Sequence, residues 1–191
     1  ILVPTTAGTG SEVTPVAVIT TGETTKAGVS SQVLLPDVAV LDAALTLGLP
    51  PKVTAMTGVD AMVHAIEAYT SRHKKNPLSD NLALNALQLL SRNIRTAVHN
   101  GSDQQARANM LLGACLAGQA FANAPVAAVH ALAYPLGGHY HIPHGLSNSL
   151  VLPSVLAFNA PEANTLYAEL AEVVVGAPVH GSAEAKTAAL I

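Results

Sequence analysis

The spacing of hydrophobic and polar positions changes at about residue 45. Before that point, short apolar runs such as ILVP and VTPVAVIT alternate with Thr, Ser and Gly, which is the pattern of β-strands. The segment TTGET separates two such runs and has the glycine and polar residues of a hairpin turn. ILVPTT at the start and PDVAVLD, residues 36–42, each have the pattern of a further strand. We therefore predict a small β part over residues 1–45.

After residue 45, apolar residues recur at the three- and four-residue intervals of amphipathic helices. Prolines or capping Ser and Asp residues mark helix starts, and glycines such as Gly101 mark ends. The pattern predicts six or seven helices, the last three of them within residues 143–159, 161–177 and 181–191. The predicted fold class is mainly α, with an all-helical domain over residues 46–191 preceded by the short β segment.

The amino-acid composition indicates that another part of the protein or a second subunit covers part of this chain's surface. Only 11% of the residues are charged, against about 25% in an average soluble domain, and residues 108–161 contain no Asp, Glu, Lys or Arg. Because Gln119, Pro125 and several histidines interrupt this stretch, it favours a buried helical core over a membrane span. We expect a further part of the polypeptide or a second subunit, in a homo-oligomer, to cover the remaining apolar surface.

Charge and cysteine content exclude some classes of protein. The net charge is −3 and basic residues are not clustered, which argues against nucleic-acid binding. Cys115 is the single cysteine, so no internal disulfide forms and a reducing, cytoplasmic location is expected. The start, ILVPTTAG, is unlike a signal peptide. The chain opens on Ile1 rather than Met, and we expect it to be a fragment.

Four residues form a candidate metal site. Asp60 and His64 are four positions apart in GVDAMVHAIEAY, so a helix projects both from one face. His130 lies on a later helix, and His144 follows a Gly-Gly break that lets the chain turn back. Three imidazoles and one carboxylate suit Fe(II), Zn(II), Co(II) or Ni(II) rather than Ca²⁺ or Mg²⁺. One carboxylate leaves a divalent ion with a net charge of +1, so it can act as a Lewis acid.

The alternative is that these side chains serve the core alone. An Asp/His pair at this spacing is common on helix surfaces, and buried histidines are often hydrogen-bonded to backbone carbonyls. Against this, Asp60 and His64 have apolar neighbours such as Met62 and Val63, and burying an ionised Asp is costly unless a positive charge pairs with it. Both interpretations stay open on the residues alone.

PTTAGTGSE, residues 4–12, is a candidate phosphate-binding loop. Glycines expose backbone N–H groups, and Thr5, Thr6 and Thr9 place hydroxyls beside them. Lys26, the one basic residue among the first fifty, can reach a phosphate or ribose if the hairpin folds over the loop. The alternatives are an ordinary Thr/Gly-rich turn and an exposed hairpin lysine.

The motifs PTTAGTGSEVT, GVDAMVHAIEAY and HALAYPLGG…IPHGLSN, in this order, resemble the iron-containing (group III) alcohol dehydrogenase family, over residue 2 to about residue 160. The resemblance implies that residues 1–45 are the C-terminal end of an α/β nucleotide-binding domain. It implies that residues 46–191 are the helical metal-binding domain, expected to be incomplete at its C-terminus. The family's first nucleotide-binding half, with its Gly-Gly-Gly-Ser turn, is not within the 191 residues, so we expect the isolated chain to bind NAD poorly.

The resemblance also implies residue roles. It makes the metal Fe(II), with Zn(II) as the alternative, held by Asp60, His64, His130 and His144. It places NAD or NADP beside Thr5, Thr6 and Thr9, with Lys26 close to the nicotinamide ribose. Many members have a histidine where this chain has Tyr134, so a histidine proton relay cannot be assumed at that position. His139 and His141 could take over such a relay, or could merely line the cleft.

The implied function is hydride transfer between a small-molecule alcohol and NAD(P), or the reverse reduction of an aldehyde or ketone. In the expected mechanism the metal binds the alcohol oxygen and lowers the alcohol pKa, and the substrate carbon then gives a hydride to the nicotinamide. Two alternatives remain. One is a hydroxyacid–oxoacid transhydrogenase on the same scaffold. The other is a non-redox helical metal hydrolase, for which Glu67 is the candidate base unless it orients a ligand.

Overall fold

The β part of the chain is one antiparallel hairpin. The computed structural model describes residues 1–22 and 25–191, apart from the side chains of Thr20 and Lys26. Strand β1, Val16–Thr20, pairs with strand β2, Lys26–Ser30, in a register that sets Val16 opposite Ser30. The predicted hairpin is confirmed, although two residues of its predicted turn, 23 and 24, lie outside the described part of the chain.

The strands predicted at ILVPTT and PDVAVLD were wrong as extended strands. In the described chain these segments meet at a single parallel bridge between Leu2 and Ala39. The Leu2 N–H donates to Val38 O, and the Val40 N–H donates to Leu2 O, each at 2.9 Å. These two hydrogen bonds are a single bridge, so the apolar pattern is present without the ladder of successive bridges that defines a strand.

In the described N-terminal part, three short 3₁₀ helices accompany the hairpin. They cover Ser11–Val13, Gln32–Leu34 and Ala43–Thr46. Asp42 caps the last of them, because its Oδ1 accepts from the Ala44 N–H at 2.9 Å. Many apolar side chains of this part are exposed, including Ile1 and Val33. The expectation that such residues are covered by another part of the protein stays a prediction.

Six α-helices make up most of the chain after residue 50. They are α1, Pro51–Tyr69; α2, Pro77–His99; α3, Gln104–Asn123; α4, Ala128–Tyr140; α5, His144–Val175; and α6, Ala183–Leu190. The predicted mainly α fold is confirmed. Asn76 caps α2 with a side-chain oxygen that accepts from two backbone N–H groups, and Asp103 caps α3 by accepting from the Ala106 N–H. The C-cap of α5 is Gly176, whose φ of 75° is favourable for glycine.

Helix α5 runs through a position where the sequence predicted a break. Pro161 was expected to separate two helices, yet it and Pro153 lie inside one continuous helix. A proline within a helix removes one hydrogen bond and disfavours the helix by about 3 kcal/mol. Buried residues on both sides of Pro161, such as Leu156 and Leu170, pack into the core and offset that cost.

Helix α1 lies at the centre of the helical part. It packs against α2, α3 and α5, and residues 63–69 are all buried, polar positions included. The core around it consists mainly of alanine and leucine side chains from α1, α2, α3 and α5. Because α1 is buried in this way, its polar side chains must form their hydrogen bonds with other groups inside the protein.

Among the described residues, no single helix is long and apolar enough to cross a membrane. Helices α3 and α4 reach the required length and hydropathy only when they are taken together, and the chain bends by 108° between them.

Candidate metal centre and cofactor loop

Three of the four predicted ligands lie close together. Asp60 comes from the middle of α1, His130 from the first turn of α4, and His144 begins α5. One ligand atom from each side chain lies within 4.8 Å of the other two. Nε2 of His130 and Nε2 of His144 are 3.7 and 3.6 Å from Oδ1 of Asp60. Helix α1 and the two consecutive helices α4 and α5 therefore bring one carboxylate and two imidazoles to a common point.

His64, the fourth predicted ligand, stands beside this group. It follows Asp60 by one helical turn and is 5% exposed. Its ring stacks on that of His130, with centroids 4.7 Å apart and planes 13° from parallel, and Phe121 covers it at 4.5 Å. His64 is not one of the three residues within 4.8 Å of one another. Among the described residues, its buried Nδ1 has no hydrogen-bond partner.

Glu67, one turn beyond His64 on α1, orients His130. Its Oε2 lies 2.6 Å from Nδ1 of His130, and its Oε1 accepts from the Val129 N–H at 2.7 Å. The contact at Nδ1 leaves Nε2 of the imidazole directed towards Asp60. A carboxylate behind an imidazole in this way fixes the ring orientation and raises its basicity. Because both Glu67 oxygens are engaged and the residue is buried, the geometry does not favour it as the base of a hydrolase.

Asn148 is a member of the cluster that the sequence analysis missed. Its amide nitrogen donates to Oδ1 of Asp60 at 2.5 Å and lies 3.2 Å from Nε2 of His130 and 3.3 Å from Nε2 of His144. The signal that could have found it is its position four residues after His144, which places both on one face of α5. The residue is completely buried.

The pKa values in the cluster are determined by burial and by the closeness of one carboxylate to several imidazoles. Burial raises the pKa of Asp60, but the close approach of His130 and the charges of the three imidazoles outweigh it, so the pKa lies below its ordinary value. Burial lowers the pKa of His64 to about 4, although Asp60 opposes that shift, so His64 is neutral at pH 7. Burial also lowers the pKa of His130, but the nearby carboxylate of Asp60 and the hydrogen bond with Glu67 raise it to about 9. A cation that binds His130 must therefore displace a proton.

The donor set fits a divalent transition metal. Within the described chain, Asp60 has no Lys or Arg within ion-pair distance, although it is 4% exposed. A buried imidazole with an unpartnered nitrogen, His64, lies alongside. Buried ionised groups are stable only when they are paired or coordinate a cation, and imidazole-rich sites prefer Zn, Fe and similar ions to Mg²⁺ or Ca²⁺.

The predicted cofactor loop packs against two helices next to this cluster. Gly8 lies so close to Thr57 of α1 that a Cβ there would be 2.8 Å from the Thr57 Cβ. Gly10 has a φ of 59° and contacts the backbone of Gly118 in α3. Thr57 is three residues, or about 4.5 Å of helix rise, before Asp60, so the loop contacts α1 about one turn before the carboxylate.

The hydroxyls of this loop are directed differently. Thr5 and Thr9 are exposed and Thr6 is half-buried. Thr9 is engaged locally, because its O–H donates to the Ser11 hydroxyl at 3.1 Å and its Oγ1 accepts from the Ser11 N–H at 3.3 Å. The side chain of Lys26 lies outside the described residues, so its predicted role stays a prediction.

Of the tyrosine and histidines around the Gly-Gly segment, Tyr134 contacts a residue of the centre. The ring of Tyr134 stacks on that of His144, with centroids 5.8 Å apart and planes 14° from parallel. His139 and His141 are exposed, and His141 ends α4 with a left-handed φ of 53°. The proton-relay role considered for His139 and His141 stays a prediction.

The fold and the clustered side chains together define a helical domain with a candidate metal centre, preceded by a Thr/Gly loop and a hairpin. Residues 54–191 match the C-terminal model of the Fe-containing alcohol dehydrogenase family, and residues 1–43 match the iron-containing alcohol dehydrogenase model. The chain belongs to the iron-containing alcohol dehydrogenase family.

Known relatives agree with this membership. The chain is 57% identical over 158 residues to long-chain-alcohol dehydrogenase 1 of Geobacillus thermodenitrificans, covering 83% of this chain and 40% of the relative. A crystal structure of 1,3-propanediol oxidoreductase superimposes with a TM-score of 0.91 at 43% identity, covering 98% of this chain and 50% of that one. Sulfoacetaldehyde reductase from Bifidobacterium kashiwanohense, solved with NAD⁺, superimposes with a TM-score of 0.86 at 34% identity, covering 98% and 49%. The chain thus spans about half the length of these proteins, or less.

Proposed function

We propose that this chain supplies the metal-binding half of an enzyme that interconverts an alcohol and an aldehyde or ketone with NAD or NADP. The observation that carries the proposal is the convergence of Asp60, His130 and His144 inside a member of the iron-containing alcohol dehydrogenase family. The names of the relatives support it, because they act on long-chain alcohols, 1,3-propanediol and sulfoacetaldehyde. The substrate is a small alcohol or carbonyl compound.

The metal is proposed to be Fe(II), with Zn(II) as the alternative, held by Asp60, His64, His130 and His144. A bound divalent ion with one carboxylate and three neutral imidazoles keeps a net charge of +1 and supplies Lewis acidity towards the substrate oxygen. Glu67 keeps the His130 ring turned so that Nε2 faces the centre. Phe121 covers His64 and excludes water from that side.

The cofactor is proposed to lie against the loop formed by residues 4–12. The loop presents backbone N–H groups and the hydroxyls of Thr5, Thr6 and Thr9, which suit phosphate oxygens. Its contacts with Thr57 and Gly118 hold it one helical turn from Asp60. Lys26 is proposed to contact the nicotinamide ribose. This arrangement brings a dinucleotide close to a substrate bound at the metal centre.

The organisation of the whole protein follows from the same proposal. Residues 1–45 form the end of a nucleotide-binding domain and residues 46–191 belong to the metal-binding domain. The exposed apolar side chains near Ile1 and Val33 would then be covered by the rest of the nucleotide-binding domain or by a second subunit of a homo-oligomer. A cytoplasmic location is proposed because a single, buried Cys115 forms no internal disulfide.

The experiment that tests the proposal is metal analysis of the complete protein, purified without oxygen, together with His64→Ala. We expect the parent protein to contain iron or zinc and to change nicotinamide absorbance when an alcohol is added. The His64→Ala variant should lose metal and activity together. Full metal content in the variant would contradict the ligand assignment, and ester or phosphate cleavage without any nicotinamide change would favour a hydrolase.

A further inference from the structure

Asn148 and Asp60 face each other across the contact between α5 and α1. Gly145 lies against the Met56 backbone, where a Cβ would overlap the Met56 carbonyl oxygen. One turn further along each helix, Asn148 meets Asp60. Because the glycine permits this close approach, the short side chain of Asn148 reaches a carboxylate on the central helix.

The orientation of the Asn148 amide is fixed by its neighbours. Its nitrogen lies 2.5 Å from Oδ1 of Asp60, and an oxygen in that place would face a carboxylate oxygen without a proton between them. The amide therefore directs its N–H groups towards Asp60. Its own Oδ1 is buried and, among the described residues, has no hydrogen-bond partner. A buried amide oxygen without a hydrogen-bond partner is unfavourable, so core packing alone does not explain an asparagine at this position. The side chain therefore has a role in the cluster.

We propose that Asn148 is a positioning residue that holds the Asp60 carboxylate towards the imidazoles of His130 and His144 and thereby sets the affinity of the centre for a divalent metal. The inference rests on the proposed function, because it assumes that Asp60 is a ligand. A carboxylate has about four lone-pair positions on two oxygens, so an N–H···O bond from Asn148 leaves others for a cation. Without the amide, the Asp60 side chain can rotate away from the two imidazoles.

The test compares Zn²⁺ affinity in the complete protein and in Asn148→Leu, which keeps the size of the side chain and removes its N–H donors. Partners of metal ligands contribute about 10- to 100-fold to metal affinity, and a loss of that size is expected. The Co²⁺ form of the variant should also change its visible absorption, which reports ligand geometry. Ser149→Ala is the matched control, because that hydroxyl donates to Gly145 O within α5 and, in the described part of the chain, to no other group.

Asn148→Ala serves as a second variant in case leucine impairs folding, which circular dichroism and thermal unfolding will reveal. We expect the same loss of Zn²⁺ affinity in it. Folded variants with the affinity and Co²⁺ spectrum of the parent would overturn the inference and leave the proposed function intact. A parent protein that binds no Zn²⁺ would contradict the proposed function and, with it, the inference.

Discussion

Glu67 and His130 form a buried pair that joins the last turn of α1 to the start of α4. The contact between Oε2 of Glu67 and Nδ1 of His130 is 2.6 Å, and Oε1 of Glu67 also accepts from the Val129 N–H. One carboxylate thus fixes both the backbone and the side chain at the first turn of α4. These contacts fix the orientation of the His130 ring, so that its Nε2 faces Asp60 and the candidate metal centre.

We predict that Glu67→Gln weakens metal binding by about 10- to 100-fold, because the amide cannot raise the basicity of the imidazole as a carboxylate does. Equilibrium dialysis against Zn²⁺ measures the effect. Glu169→Gln is the matched control, since Glu169 is exposed and accepts from the Tyr69 hydroxyl at 2.7 Å. Equal Zn²⁺ affinity of Glu67→Gln and the parent would show that the pair is not coupled to the metal.

Gly145 provides a second test, of packing between α5 and α1. A methyl group at this position overlaps the Met56 carbonyl, so Gly145→Ala forces the two helices apart and moves His144 with them. We predict a loss of about 1–3 kcal/mol in the free energy of unfolding, together with weaker Zn²⁺ binding. Denaturant unfolding measures the first effect. Gly48→Ala, which meets no atom within 4 Å, should leave both quantities unchanged.

The sequence was most informative where residues that can bind a metal also recur at helical spacing. Asp60 and His64 are four residues apart within an apolar helix, and that spacing identifies them as a candidate ligand pair from the sequence alone. The group of three ligand atoms includes Asp60, His130 and His144, as the motifs predicted, whereas His64 stands just beside it. The ligand assignment itself stays a prediction until a metal is measured.

Other features could not be derived from the sequence, because they depend on contacts between distant segments. Asn148 is one of several asparagines in an apolar stretch, and only the meeting of α5 with α1 gives it a partner. Pro161 disfavours a helix locally, but packing on both sides of it outweighs that preference. The strand-like runs around Leu2 and Ala39 have the right pattern, yet a strand also needs a neighbouring ladder, which a local pattern does not supply.

Arg107 permits a stability prediction away from the centre. It is 2% exposed, and its guanidinium donates to the Thr54 hydroxyl at 2.7 Å, to Gly101 O at 2.9 Å and to Leu49 O at 3.3 Å. Arg107→Met leaves these acceptors without a donor. We expect the free energy of unfolding to fall by about 2–3 kcal/mol.

Thermal or denaturant unfolding measures this change. Arg95→Met, at an exposed position of α2, is the control and should change stability by no more than about 0.5 kcal/mol. An Arg107→Met variant as stable as the parent would mean that the three hydrogen bonds are replaced by others at little cost.

Cys115 and Glu12 give a prediction of pH dependence. Burial, the charge of Glu12 and a hydrogen bond with its carboxyl raise the pKa of the Cys115 thiol from 9.0 to about 11. Because the folded protein keeps the thiol protonated, this group stabilises the fold fully below pH 9.0 and loses that contribution as the pH rises towards about 11. The thiolate is the reactive form, so alkylation of this single cysteine should still accelerate with pH above 9.0.

Iodoacetamide labelling followed by mass spectrometry measures the alkylation rate at each pH. Glu12→Gln removes the negative charge beside the thiol, so it should lower the pKa of Cys115 and raise the labelling rate at every pH below about 11. Glu162→Gln, an exposed glutamate on α5, is the matched control and should leave the profile unchanged. A labelling profile that levels off near pH 9.0 in the parent would mean that the thiol is neither buried nor coupled to Glu12. Unchanged labelling in Glu12→Gln, with a parent that titrates near 11, would assign the raised pKa to burial alone.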